Sequence, residues 1–111
     1  MYQIDSKMWG IVYKFDTPKL VIIKDIIETK NSLIYKVKYK NKLFDIFNID
    51  IYPSKIEADI FWSITIQEEF KYTQKQPSLF MTDEFEFAVR KANKILLYYA
   101  DNNPDILLKY F

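Results

Sequence analysis

The sequence predicts an α+β fold in which an antiparallel four- or five-stranded meander is followed by C-terminal helices. The first half of the chain holds short runs of alternating or β-branched apolar residues, separated by polar turns. The second half holds a long helical pattern that opens on a threonine cap. The chain has 111 residues, half of them hydrophobic, which suits one domain with its own core. We therefore expect a single domain over 1–111, with a β-meander over 1–53 and a mainly helical part over 54–111.

The predicted meander has four strands. The first run ends where Pro18 interrupts the strand, because proline fixes φ and donates no backbone hydrogen bond. The second run is rich in Val and Ile and almost continuously apolar, which predicts a strand that is covered on both faces. Polar turn residues separate the remaining runs. The four predicted strands are 8–15, 20–29, 33–39 and 43–52.

The segment over 54–72 fits two structures. Apolar residues alternate from Ile56 to Ile66, which is typical of a fifth strand. The same segment opens with Ser54 followed three residues later by Glu57, which is the capping box that begins a helix. The sequence leaves both structures open.

A long helix is predicted after Thr82, whose hydroxyl can cap the first turn. Acidic residues follow the cap and basic residues come later, as the helix dipole favours. The helix stops at Asn102, Asn103 and Pro104, and a short apolar tail follows over 106–111. Its apolar stripe, at helical spacing, consists of Phe85, Val89, Ala92, Leu96 and Tyr99.

Composition excludes most catalytic sites. The chain has no Cys and no His, so it has no thiol nucleophile, no imidazole base and no zinc-knuckle ligands. Two of the three acidic clusters, at Glu57/Asp59 and at Asp83/Glu84/Glu86, open candidate helices, where acids favour the helix dipole. Ser54 is explained as a helix cap without a base to activate it. We expect no enzyme, no cofactor and no bound metal; catalysis by carboxylates alone is the third-ranked hypothesis.

The location is predicted from hydropathy and charge. No stretch approaches 18 uncharged apolar residues, and the N-terminus lacks the residue order of a signal peptide. The net charge is only +1, with no block of like charge to bind an anionic membrane. We therefore expect a small soluble protein of the cytoplasm with no membrane partner.

A predicted strand, a tyrosine and a serine-capped helix start follow one another over 51–58. With Trp9 in the first strand and the Tyr35-Lys36-Val37 strand, this order resembles the small SH3-like barrel proteins of bacteria and their phages. The resemblance covers about the first 60 residues. It implies a barrel-like meander that ends in a capped helix, and it implies no catalytic residues.

The aromatic content predicts a binding surface. The chain has two Trp, nine Tyr and nine Phe, more rings than so small a domain can enclose. Such rings are enriched at protein interfaces. We place the protein interface at Phe87 and Tyr98, which lie off the helix stripe, and at Tyr110 and Phe111 in the tail. The leading hypothesis is a protein-interaction module, such as an oligomeric structural component or a small phage or mobile-element inhibitor of a host protein. Its partner is another protein or a second copy.

The alternative hypothesis is nucleic-acid binding by a strip of lysines and tyrosines. Lysines could follow the phosphates while tyrosine rings stack on bases. A solvated strand face also explains the pattern, because edge lysines prevent strand aggregation. The residues of this strip are Tyr35, Lys36, Lys38, Tyr39, Lys40 and Lys42.

Overall fold

The computed structural model describes residues 1–75 and 82–110, and these residues form an α+β fold with a five-stranded antiparallel sheet followed by helices. The chain divides into two compact units, Met1–Ala58 and Asp59–Phe111. The predicted fold class is confirmed at this level. The strands are β1 (Lys7–Gly10), β2 (Lys19–Glu28), β3 (Leu33–Tyr39), β4 (Lys42–Phe47) and β5 (Ile51–Tyr52); the helices are α1 (Lys55–Lys75), α2 (Asp83–Asn102) and α3 (Pro104–Leu108).

The sheet has the strand order β4-β3-β2-β1-β5. The prediction of one strand over 43–52 is wrong, because a 3-10 turn at Asn48–Asp50 divides it into β4 and β5. The short β5 then pairs with β1, placing Ile51 opposite Gly10. β4 and β5 are therefore the two edges, and the sheet is open.

The first strand is shorter than predicted. β1 stops at Gly10, and the following segment forms a loop in which the Ile11 N–H donates to the Asp50 carbonyl at 2.9 Å. Gly10 is closely surrounded, since a Cβ placed there would lie 3.0 Å from Cδ1 of Ile46. The alternation through Tyr13 and Phe15 therefore lies outside the sheet.

The core of the first unit lies on one face of the sheet. The prediction that β2 is covered on both faces is wrong: Val21 and Ile23 are fully buried, but Leu20 is 47% exposed and Ile27 is 36% exposed. The outer face of β2 is thus partly exposed. The buried cluster on the inner face consists of Met8, Val21, Ile23, Tyr35, Val37, Ile46 and Ile51.

The ambiguous segment is a helix, so the fifth strand over 56–66 does not form. Ser54 Oγ accepts a hydrogen bond from the Glu57 N–H at 3.1 Å, as the capping box requires. Within the helix Trp62 and the polar Ser63 are both buried. The Ser63 hydroxyl donates to the Asp59 carbonyl at 2.7 Å, which satisfies it without leaving the helix.

The long helix after Thr82 is confirmed. Thr82 Oγ accepts from the Phe85 N–H at 3.1 Å, and α2 ends at Asn102 before Pro104. The predicted tail forms the short helix α3 over part of its length. Of the predicted stripe, Leu96 is half-buried and the others are buried; the buried residues of α2 are Phe85, Ala88, Val89, Ala92 and Tyr99.

Candidate functional site

Two surfaces carry the candidate functional residues, and the first is the outer face of α2. Phe87, Leu97 and Tyr98 are 55%, 66% and 59% exposed. Lys91 and Lys94 lie between Phe87 and Tyr98 at helical spacing, so these four side chains share one side of the helix, and Leu97 lies at the margin of that side. We call this set the α2 outer face.

Local contacts orient the two rings of the α2 outer face. The Lys91 ammonium lies 4.6 Å from the centroid of the Phe87 ring, in a cation–π contact. The Tyr98 ring meets the buried Tyr99 ring edge to face, with centroids 5.3 Å apart. Both rings thus contact neighbours on their own helix, while each residue is more than half exposed to solvent.

Charge is unevenly distributed along α2. The first turn carries Asp83, Glu84 and Glu86, near the positive end of the helix dipole. The middle carries Arg90 together with Lys91 and Lys94. The α2 outer face therefore has a cationic centre with an apolar group at each end.

The tail contributes less of the predicted interface. Tyr110 is 37% exposed and lies in the turn after α3, where its N–H donates to the Leu107 carbonyl at 2.9 Å. Phe111 lies outside the described residues. Of the four predicted interface residues, Phe87 and Tyr98 share one surface of α2 and Tyr110 belongs to a different element.

Several aromatic rings of the described residues are exposed, whereas both tryptophans are at least partly enclosed. Trp62 is buried, and Trp9 is half-buried with the Lys55 ammonium 5.8 Å from its ring centroid. The exposed rings in the described ranges are Tyr13, Phe47, Tyr72, Phe87, Tyr98 and Tyr110.

The predicted lysine and tyrosine strip is not one surface. Along β3, Tyr35 and Tyr39 alternate with Lys36 and Lys38, so the rings and the ammonium groups point to opposite faces of the sheet. Tyr35 is only 1% exposed, and its hydroxyl oxygen accepts a hydrogen bond from the Tyr2 N–H at 3.0 Å. A stacking role for Tyr35 is therefore wrong, because its ring belongs to the core.

The lysines of the strip also differ from one another. Lys36 lies opposite Asp45 in the register and pairs with its carboxylate at 3.6 Å. Lys40 occupies the two-residue β3–β4 turn, with its ammonium 5.4 Å from the Tyr39 ring centroid. Lys42 is exposed at the start of β4. Only part of the strip therefore contributes to a common site.

That site is the second candidate surface, a hollow of about 400 Å³ on the first unit. Lys38 and Tyr39 line it, together with lysines from β1 and β2 that sequence analysis did not single out. Strand pairing brings these lysines together, and a single sequence carries no direct signal of it. We call this site the lysine hollow; its lining residues are Lys7, Leu20, Ile22, Lys24, Lys38, Tyr39, Lys40 and Asn41.

Burial raises the pKa of two groups that lie outside these surfaces. One is Asp50, which is in the 3-10 turn before β5. The other is Tyr2, whose pKa is raised by burial and then by the charges of Tyr35 and Glu57. Over residues 1–75 and 82–110, no group of three or more acidic side chains is placed to hold a metal ion.

Comparison with known proteins gives no functional assignment. No protein-family model matches the chain, and no match was found among the curated proteins or the solved structures. None of the helices in the described ranges has the length and apolar character needed to cross a membrane. The argument for function therefore depends on the two surfaces themselves.

Proposed function

We propose that this protein acts by binding another protein through the α2 outer face. The observation that carries the proposal is that two large rings, Phe87 and Tyr98, are each more than half exposed on one side of one helix, with the exposed Leu97 next to Tyr98 in the chain. Exposed apolar groups that lie together mark interaction sites. An amphipathic helix docks into a groove through the side chains of one face, which here are Phe87, Lys91, Lys94 and Tyr98 at i, i+4, i+7 and i+11.

The charge layout indicates the chemistry of the partner. Phe87 and Tyr98 lie symmetrically about the middle of the α2 outer face. Antiparallel pairing of two copies through this face would therefore place Lys91 of one copy opposite Lys94 of the other. Such like-charge contacts are destabilising. A partner that offers carboxylates between two apolar pockets would instead complement the cationic centre. We therefore propose a different protein with an acidic, apolar groove, of which a host protein bound by a small inhibitor is one example.

Site-specific photo-crosslinking in the source cells tests the proposal. A photoreactive phenylalanine derivative is introduced at position 87 or 98. The chain offers matched controls elsewhere: Phe47 is 53% exposed against 55% for Phe87, and Tyr72 is 60% exposed against 59% for Tyr98. The crosslinked partner is identified, purified and shown to bind the unmodified protein in solution.

We expect one partner to be crosslinked from positions 87 and 98 and not from 47 or 72. Equal crosslinking from all four positions would show that exposure alone explains the capture and would contradict the proposal. Crosslinking to a second copy, with a dimer mass by light scattering, would replace the proposed partner by self-association and indicate an oligomeric structural component.

The SH3-like resemblance is a second, structural proposal. The sheet supports it, since β5 returns to pair with β1 and Tyr52 is followed by the Ser54-capped helix. The open edges at β4 and β5 leave barrel closure as the point to test. Amide hydrogen exchange in β4 and β5 tests it: a closed barrel protects both edge strands, and an open sheet leaves them to exchange quickly.

A further inference from the structure

We infer that the lysine hollow binds the phosphate group of a nucleotide, either free or within a single strand, independently of docking by α2. The strand register brings two lysines together. Ile22 lies opposite Lys7 on one side and Lys38 on the other. Neighbouring strands are about 4.8 Å apart, so the two lysine backbones flank Ile22 at a separation of about 10 Å. Two ammonium groups therefore face one point above the sheet.

A β-bulge adds a third lysine. The β2–β3 register passes from Ile23 to Asp25 while the partners on β3 are consecutive, so Lys24 is the extra residue. Its side chain lines the hollow beside Lys7 and Lys38. The Asp5 carboxylate, 3.0 Å away, pairs with Lys24. Bulges are a common means of aiming a side chain into a site.

The lysines of the hollow are largely without local counter-charges. None of the lining residues is acidic. Within the described part of the chain, neither Lys7 nor Lys38 takes part in an ion pair. Elsewhere on this sheet, Lys36 is paired with Asp45. A bound anion would therefore neutralise the positive charges of Lys7 and Lys38, which no acidic side chain in the described part of the chain pairs with.

Turn geometry brings polar residues to the rim of the hollow. Lys40 and Asn41, at φ 49° and 63°, form the two-residue β3–β4 hairpin turn, and the type I′ turn favoured there has a positive φ at both positions. Both residues line the hollow, and Asp5 contacts it through Lys24. The turn therefore places a further lysine, Lys40, at the edge of the hollow.

The floor of the hollow indicates that the ligand is more than a small ion. Leu20 is 47% exposed and Ile22 is half-buried, and both line the hollow. A flat apolar ring can cover these side chains while its phosphate lies among the ammonium groups. A nucleotide combines both features, and burial of its base against apolar side chains does not depend on which base it is.

Fluorescence anisotropy tests this inference with labelled ten-nucleotide oligo(dT) at a series of salt concentrations. ATP and inorganic phosphate serve as unlabelled competitors. The test variant is Lys7→Ala with Lys38→Ala. The control variant is Lys30→Ala with Lys109→Ala, which removes the same charge from exposed positions outside the hollow. Circular dichroism confirms that both variants are folded.

We expect the test variant to lose at least about tenfold in affinity, and the slope of log affinity against log salt to fall by about 1.4 in magnitude. The control variant should remain within about twofold of the original protein.

Competition by ATP as well as by oligo(dT) identifies a free-nucleotide site, and competition by oligo(dT) alone identifies a strand site; both support the inference. Competition by inorganic phosphate as effective as by ATP would overturn the role of the apolar floor. Equal losses in both variants, or no binding by any probe, would overturn the site itself. Neither result depends on docking by α2, so this inference and the proposed function fail separately.

Discussion

Replacing Tyr35 tests whether this residue belongs to the core or faces a ligand. Its ring is 1% exposed and packs 5.5 Å from the Tyr2 ring, centroid to centroid. Tyr35→Ala removes a buried aromatic ring, which costs about 3–5 kcal/mol in the free energy of unfolding. Tyr35→Phe keeps the ring but leaves the half-buried Tyr2 N–H without its acceptor, which costs about 1 kcal/mol.

Urea unfolding followed by circular dichroism measures both effects. We expect a small loss for Tyr35→Phe and a loss of a large part of the total stability for Tyr35→Ala, since domains of this size have about 5–15 kcal/mol. Oligonucleotide affinity should be unchanged in Tyr35→Phe. A weaker affinity of Tyr35→Phe with an unchanged unfolding midpoint would show that the Tyr35 hydroxyl contacts ligand and not the Tyr2 N–H, which would refute the assignment of this side chain to the core.

Three further substitutions test the packing, capping and titration described above. Gly10→Val places methyl groups where Ile46 Cδ1 is 3.0 Å from a Cβ, so unfolding should become easier by about 1–3 kcal/mol in urea; a change under about 0.5 kcal/mol would disprove the crowding. Thr82→Ala should cost about 1 kcal/mol and speed amide exchange in the first turn of α2, whereas Thr82→Ser should cost little; equal effects would show that the hydroxyl does not act as the cap. Because burial raises the pKa of Asp50, the folded state binds its proton more tightly, and this contribution to stability is complete below pH 3.8 and is lost as pH rises through the raised pKa. Asp50→Asn should therefore raise the melting temperature at pH 7 and lose that advantage near pH 3; an advantage independent of pH would exclude the carboxylate as its cause.

Local signals predicted the helices better than the sheet. The Thr82 cap, the polar stop at Asn102 and the apolar stripe of α2 are all short-range features, and the structure has them as expected. The capping box at Ser54 was also a correct signal for α1. The competing alternation arose because two polar residues, Asp59 and Ser63, are buried in that helix and mask its period.

The end of the sheet was harder to predict because it depends on tertiary pairing. Apolar residues alternate with polar ones from β4 into β5, so Asn48 and Asp50, although turn-forming types, also fit the polar positions of one continuous strand. The chain leaves β4 there because Ile51 pairs with Gly10, more than forty residues earlier. The same limit applies to the exposed side of β2: a run of Val and Ile does not reveal that Leu20 faces solvent.

The two candidate surfaces differ in the same way. Phe87 and Tyr98 were predicted because helical spacing alone places them off the buried stripe. The lysine hollow required the β1–β2–β3 register and the bulge at Lys24, so Lys7 and Lys24 could not be found from sequence spacing. Alternation along β3 could have separated Tyr35 from Lys36 and Lys38, since neighbours in a strand face opposite sides.

The most direct test of the account is the affinity of the crosslinked partner for two matched double variants, measured by calorimetry. Phe87 and Tyr98 each expose on the order of 100 Å² of ring surface, and burying it contributes about 2.5 kcal/mol per ring at about 25 cal/mol per Å². We predict that Phe87→Ala with Tyr98→Ala weakens binding at least about 100-fold, whereas Phe47→Ala with Tyr72→Ala changes it less than about threefold. Equal losses in the two double variants, or no loss in the first, would contradict the assignment of the docking surface to α2.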